Sequence, residues 1–199
     1  MDKLPVMEEF CTLQGEGVFS GCPAYFIRLA GCDVGCVWCD VKESWNKDEH
    51  PMIAVEQLVQ NVLSSGAIRV IVTGGEPTMH NLDVLTEQLR EKGIKTHIET
   101  SGVHPLTGQW NWITFSPKKF KSPTDEIFQI CNEMKVIVFH PSDIQWAIEL
   151  SKKTNVDCHL LLQPEWERQD ESMPLIMSHL SQFPNWRLSL QTHKYIGVR

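Results

Sequence analysis

The sequence lacks any long apolar run. No stretch reaches the roughly 20 residues that a membrane-spanning helix requires, so a membrane partner is not expected. It also lacks a basic excess. Eighteen Lys and Arg stand against 25 Asp and Glu, the formal charge is −7 and the sequence pI is about 5.6. No basic cluster is long enough to follow a phosphate backbone, so direct contact with nucleic acid is not expected. The first ten residues carry Asp2, Glu8 and Glu9 and no apolar signal core, which predicts no secretion signal and a cytoplasmic protein. No repeat, low-complexity tract or linker interrupts the 199 residues, which suit a single domain over 1–199. A disulfide framework is a poor reading as well. The seven cysteines, at 11, 22, 32, 36, 39, 131 and 158, are odd in number, and in a cytoplasmic chain metal binding is the better use.

What the sequence has is alternation. Short runs rich in β-branched or aromatic residues at 24–29, 69–73, 96–99, 113–115, 135–139, 159–163 and 187–191 read as strands. Between them, apolar residues recur at helical spacing: Val55, Leu58, Val59, Val62 and Leu63, then Leu82, Leu85 and Leu89, then Ile144, Ala147 and Ile148, then Ile176, Leu180 and Phe183. These stripes read as core. The alternation predicts an α/β fold with a mostly parallel sheet. A closed eightfold barrel takes about 250 residues, so the expectation is a partial, open TIM-type barrel. Its chemistry should gather where the strands end at their C-termini.

The first strand runs into Cys32, Cys36 and Cys39, spaced C-x3-C-x2-C, with Gly31 and Gly35 to let the loop turn tightly. Three thiolates can hold three irons of a cubane and leave the fourth open to a ligand. A structural zinc site is the alternative. It wants four ligands, and nothing places His50, the one candidate for the fourth, nearby. Later strands also end in polar clusters. Thr73-Gly74-Gly75-Glu76-Pro77 offers close backbone approach and an acceptor carboxylate, though the same residues make an ordinary turn. Glu99-Thr100-Ser101-Gly102, Ser116-Pro117-Lys118 and Gln163-Pro164 follow in the same register. Cys11, Cys22, Cys131 and Cys158 read as small packing residues. His80, His97, His104, His140, His159 and His179 belong to no motif.

The cysteine spacing, with Trp38 before the last thiol, resembles the radical S-adenosylmethionine superfamily. That resemblance implies a 4Fe-4S cluster on Cys32, Cys36 and Cys39 and S-adenosylmethionine on its open iron. It implies Gly74, Gly75 and Glu76 around the methionyl ammonium, Trp38 near the adenine, and Glu99 as a ribose acceptor. Cys39, Asp40, Ser116, Pro117, Lys118 and Gln163 complete the expected cofactor set. A narrower resemblance rests on Thr12-Leu13-Gln14-Gly15-Glu16-Gly17, on Phe26-Ile27-Arg28-Leu29-Ala30-Gly31-Cys32, and on Leu190-Gln191-Thr192-His193-Lys194. From Leu13 to Tyr195 the chain is similar to the 7-carboxy-7-deazaguanine synthases of the queuosine pathway. This implies a small pterin, 6-carboxy-5,6,7,8-tetrahydropterin, losing a hydrogen from C6, contracting its ring and releasing ammonia. It also implies a homodimer and an electron donor such as flavodoxin. Arg28 suits the pterin carboxylate, since a guanidinium makes a forked, charge-assisted pair. Leu13, Gln14, Gly15 and Glu16 are expected at the pterin edge, with Thr73 and His193 adding contacts. The family's magnesium ligand is a threonine after the Cys-Asp pair. Here that position is Val41, which has no ligand atom, although Asp40 beside it has one. Two other readings are a radical enzyme that activates a partner protein, and a non-catalytic iron–sulfur or zinc interaction module. The first should lack the Gln14–Glu16 and His193 elements, and the second has no need of Thr73–Pro77 or Ser116–Lys118.

Overall fold

The structure, a computed structural model, describes residues 2–199, so Met1 lies outside it. The strands are β1 (Lys3–Leu13), β2 (Pro23–Leu29), β3 (Met52–Ala54), β4 (Arg69–Gly74), β5 (Lys95–Thr100), β6 (Trp112–Phe115), β7 (Glu133–Val138), β8 (His159–Pro164) and β9 (Trp186–Leu188). The helices are α1 (Val55–Ser65), α2 (Asp83–Glu91), α3 (Asp125–Ile130), α4 (Ser142–Ser151), α5 (Gln169–Leu180) and α6 (Thr192–Ile196). One sheet holds all nine strands in the order β3-β1-β2-β4-β5-β6-β7-β8-β9. The pairs β3–β1 and β1–β2 are antiparallel, and every pair from β2 to β9 is parallel. The sheet does not close, and β3 and β9 remain its edges. This is the open partial barrel that the alternation predicts.

The two faces of the sheet follow the period of two that a strand imposes. In β7, Met134, Val136 and Val138 enter the main apolar core, while Glu133, Lys135 and Ile137 occupy the alternate positions. The core is built from the first set, joined by Ile27, Leu29, Val70, Val72, Ile98, Phe115 and Leu162 of neighbouring strands. The helices close it with Leu58, Val62, Leu85, Leu89, Ala147 and Ile176. α1 ends at Gly66, which caps it in the left-handed region at φ 72°.

Several details differ from the sequence reading. β1 is absent from the predicted strands because Glu8 and Glu9 break its apolar pattern, and its register shifts between Val6 and Glu8. α3 is too short to show a stripe, although Ile127 and Phe128 are buried. Phe183 lies beyond the end of α5 and is exposed, stacking on His179. The last strand stops at Leu188, which frees Ser189 and Gln191 to turn inward. Cys11 is exposed rather than packed, whereas Cys131 is buried with its sulfur 3.5 Å from that of Cys158. Among the described residues no helix is long and apolar enough to cross a membrane.

Because α1 contributes Leu58 to the sheet's core with no exposure, Leu58→Ala should destabilise the fold by about 2–5 kcal/mol. Val156→Ala, at 99% exposure, should stay within about 0.5 kcal/mol of the natural protein. Urea unfolding followed by circular dichroism distinguishes the two; equal midpoints would contradict the packing described.

Candidate active site

The C-terminal ends of β2, β4, β5, β6, β7 and β8 open into one cavity of about 280 Å³. Every site residue expected from the sequence lines it except Pro117, which is buried outside the wall. Leu13, Gln14, Gly15, Glu16, Arg28, Thr73 and His193 lie there together with Trp38, Cys39, Asp40, Val41, Gly74, Gly75, Glu76, Glu99, Ser116, Lys118 and Gln163. The sequence reading gave no site role to Lys135, Trp166 or Arg199, nor to Gln191 and Lys194 although both stand in the Leu190–Lys194 motif, and all five share the wall.

The cysteine loop is held by backbone bonds. Gly31 N–H donates to Ser44 O at 2.7 Å, Cys32 N–H to Trp45 O at 3.1 Å and Cys39 N–H to Cys36 O at 3.2 Å. Asp33 is tied to Lys121 at 2.6 Å and to His104 at 3.0 Å. Cys32, Cys36 and Cys39 all reach the cavity. Burial pushes the thiols of Cys32 and Cys36 above their ordinary range, and neighbouring thiols add to it. Among the described residues no three His, Cys, Asp or Glu side chains converge closely enough to grip a single metal ion. His50 Nε2 donates to Glu43 O at 2.8 Å and does not line the cavity. Three thiols lining one cavity are the donor set of a cubane with one open iron.

β4 ends hard against this loop. A Cβ on Gly75 would collide with Gly31 O and approach Cys32 Cβ to 2.9 Å. The glycine is thus needed for contact between two segments of the protein, where the sequence suggested approach to a ligand. Glu76 differs in the same way. It is 2% exposed, and both of its oxygens are occupied. Oε1 accepts from Thr78 N–H (3.1 Å), Thr78 Oγ1 (2.6 Å) and Thr100 Oγ1 (2.5 Å), and Oε2 accepts from Ser101 N–H (2.8 Å) and Ser101 Oγ. With five donors on one carboxylate, Glu76 clasps the ends of β4 and β5 together.

The turn after β1 folds into the cavity floor. Gln14 is 3% exposed. Its amide donates to Glu99 Oε1 at 2.7 Å, and its carbonyl accepts from Glu16 N–H at 3.0 Å. Glu16 pairs with Lys135 and accepts from Gln191 Nε2 at 2.8 Å. Burial opposes the Glu16 charge, but the Lys135 ammonium outweighs it and holds the carboxyl at about 2. Burial likewise opposes the Lys135 charge, and Glu16, Glu99 and Glu133 together raise it above the usual lysine range. A Cβ on Gly15 would collide with the His193 ring, so this position admits no side chain. Burial lowers His193 below the usual histidine range.

Arg28 uses Nε alone to reach Glu8 Oε1, at 2.8 Å, which leaves the rest of its fork unpaired by Glu8. Arg199 meets the other Glu8 oxygen at 3.1 Å. Lys118 donates to Ser116 O at 2.6 Å and to Ser116 Oγ at 2.7 Å; burial lowers its ammonium, against the pull of the Cys36 thiol. Trp38 stacks on Phe139 with ring centres 5.1 Å apart. Asp40 is paired with Lys194 at 3.1 Å.

The sequence profile of the Radical SAM superfamily matches residues 26–136. The 7-carboxy-7-deazaguanine synthase of Flavobacterium psychrophilum is 47% identical over 99% of this chain and 93% of its own. That of Synechocystis is 47% identical over 98% and 93%, and that of Escherichia coli 36% identical over 98% of each. The crystal structure of QueE from Escherichia coli superposes with a TM-score of 0.86 at 36% identity, covering 96% of this chain and 95% of that one. These relatives match over nearly the whole chain. The chain belongs to the radical S-adenosylmethionine superfamily and, within it, to the family of the 7-carboxy-7-deazaguanine synthases.

Proposed function

We propose that the protein converts 6-carboxy-5,6,7,8-tetrahydropterin into 7-carboxy-7-deazaguanine and ammonia, in a single domain that works as a homodimer with a flavodoxin-like electron donor. The overall change is redox-neutral, since substrate equals product plus ammonia. One observation carries the reading. A single cavity is lined by three thiols, a carboxylate and a guanidinium, and the last two suit a pterin's N–H edge and its carboxylate. Relatives that share the name over nearly the whole chain leave the partner-activating enzyme and the interaction module without support.

Membership of the superfamily brings a 4Fe-4S cluster and S-adenosylmethionine, and the residues present fit both. Cys32, Cys36 and Cys39 would hold the cluster. Trp38, Asp40, Gly74, Gly75, Ser116, Lys118 and Gln163 would surround S-adenosylmethionine, with Glu76 and Thr100 shaping the wall behind it. Together the two groups supply an electron and a radical able to take a hydrogen atom from carbon. The protein's own residues bind and orient the substrate. The fork of Arg28 takes the carboxylate, Glu16 accepts from the pterin N–H groups, and the backbone around Leu13 and Gly15 lies against its plane. Thr73 and His193 close the sides.

A magnesium ion does not fit these residues. Val41 turns an apolar side chain to the cavity, and the Asp40 carboxylate already has an ammonium partner in Lys194. Magnesium prefers oxygen ligands and keeps its water. Turnover should therefore persist after rigorous chelation, and Val41→Thr should gain stimulation by added magnesium. A large, saturable requirement in the natural protein would contradict this.

Cys36→Ala should lose the iron-dependent visible absorption and all turnover, because each thiolate holds one iron. Cys131→Ser should keep both. A Cys36→Ala protein with a full cluster would refute the ligand assignment. Arg28→Lys should weaken pterin binding by roughly 10- to 100-fold, the equivalent of ~1.5–3 kcal/mol for a charge-assisted contact, and leave S-adenosylmethionine binding intact. Calorimetric titration of each ligand measures both, and an unaltered pterin affinity would remove Arg28 from the substrate site.

A further inference from the structure

Lys135 projects from a central strand into the cavity floor and is 4% exposed. An ammonium so buried costs several kcal/mol unless it is paired. Its hydrogen-bonding partner is Glu16, which retains 15% side-chain exposure in the cavity wall. The backbone around Glu16 cannot swing away. Gly15 O accepts from Thr192 N–H at 2.8 Å and from its hydroxyl at 2.9 Å. Gly17 N–H donates to Ser189 Oγ at 2.9 Å, and Val18 N–H to Glu133 Oε2 at 2.9 Å.

The neighbouring Gln14 spends one amide N–H on Glu99 and one carbonyl lone pair on Glu16 N–H, and it carries no charge. Glu16 is ionised and offers acceptors only. A carboxylate offers about four lone-pair sites; Lys135 and Gln191 take one on each oxygen, and the Gln163 amide adds to the hold on the charge. The acceptor capacity left over belongs to a side chain that lines the cavity. A fixed, ionised acceptor rewards N–H donors and repels a carbonyl oxygen in the same place.

We propose that Lys135 is a positioning residue that sets substrate specificity: by pinning Glu16 as an acceptor, it makes the site choose 2-amino heterocycles over their 2-oxo counterparts. The inference rests on the pterin reading given above. Lys118 and His193 also face Glu16, and Glu99 and Glu133 face Lys135, so they share the field of the pair. In the natural protein Glu16 stays ionised far below neutral pH. Without Lys135, burial raises it and only the Gln191 and Gln163 amides oppose the rise. Donor recognition is then present above the raised value and is lost as pH falls through it.

The test is equilibrium binding to the anaerobically reconstituted holoenzyme, with 6-carboxypterin and 6-carboxylumazine as probes from pH 5.5 to 8. The natural protein should prefer the pterin at least tenfold across the range, and Lys135→Arg should keep that preference. Lys135→Met should lose the preference as pH falls, with S-adenosylmethionine binding unchanged. His193 titrates in both proteins, so the difference between their profiles isolates Glu16. Glu16→Gln with Lys135→Met removes both charges together, avoids a buried unpaired ion, and should show a low, pH-independent preference. A natural protein that prefers the pterin while Lys135→Met, or the double variant, prefers it equally at every pH would overturn the inference alone. A holoenzyme that binds S-adenosylmethionine but neither probe would overturn the pterin reading and the inference with it.

Discussion

A charge taken out of water must bring its partner with it, and the inner side of this sheet is arranged around that requirement. Glu133 and Lys135 sit two residues apart on β7, alternating with the residues that enter the main apolar core, and both are buried. The turn after β1 supplies their partners. It supplies the Glu16 carboxylate to Lys135 and the Val18 N–H to Glu133, while Thr114 donates to the same Glu133 from β6 at 2.7 Å. The cavity floor and the polar core of the barrel are thus one structure. The side chains that shape the floor are the ones that make the inward turn stable.

The rim obeys a second constraint, that of close approach. The end of β4 lies against the cysteine loop at Gly75 and Gly31 and is joined to the end of β5 through the Glu76 carboxylate. A cluster held by three thiols is only as well placed as the loop that carries them. Here that loop is braced by Ser44 and Trp45 on one side, by Gly75 behind, and by the Asp33 pairs with Lys121 and His104 at its tip. The rim is therefore rigid by hydrogen bonding and contact, and the motif residues that read as ligand donors supply much of that rigidity.

The sequence made the thiols, the strand ends and most of the cavity wall legible, because each depends on local pattern: a spacing, a period of two, a polar cluster after an apolar run. What it could not disclose was which partner each polar group would find. Gln14 and Glu76 look equally suited to a ligand and to the protein. Only the fold brings Glu99 to the first and Thr78, Thr100 and Ser101 to the second. Lys135 did leave a trace. Charges at alternate positions of a strand that is otherwise apolar are out of place in a parallel sheet, whose strands usually run apolar on both faces. That signal marks a lumen with chemistry in it. β1 escaped notice for the opposite reason, because its charged residues and shifted register hide a strand that is in fact the longest of the nine.

The inward turn has a consequence for how the protein is made. Its partners Ser189, Gln191 and Thr192 lie more than 170 residues further along the chain. Contacts of such separation are reached only after the intervening chain has closed a large loop, and topologies rich in them fold slowly. On a ribosome, the segment holding Glu16 emerges first and waits for the last strand. The cysteine loop, local in sequence, has its own braces long before that moment. The protein can therefore shape its cysteine loop early, but the floor of its cavity is finished at the end of synthesis.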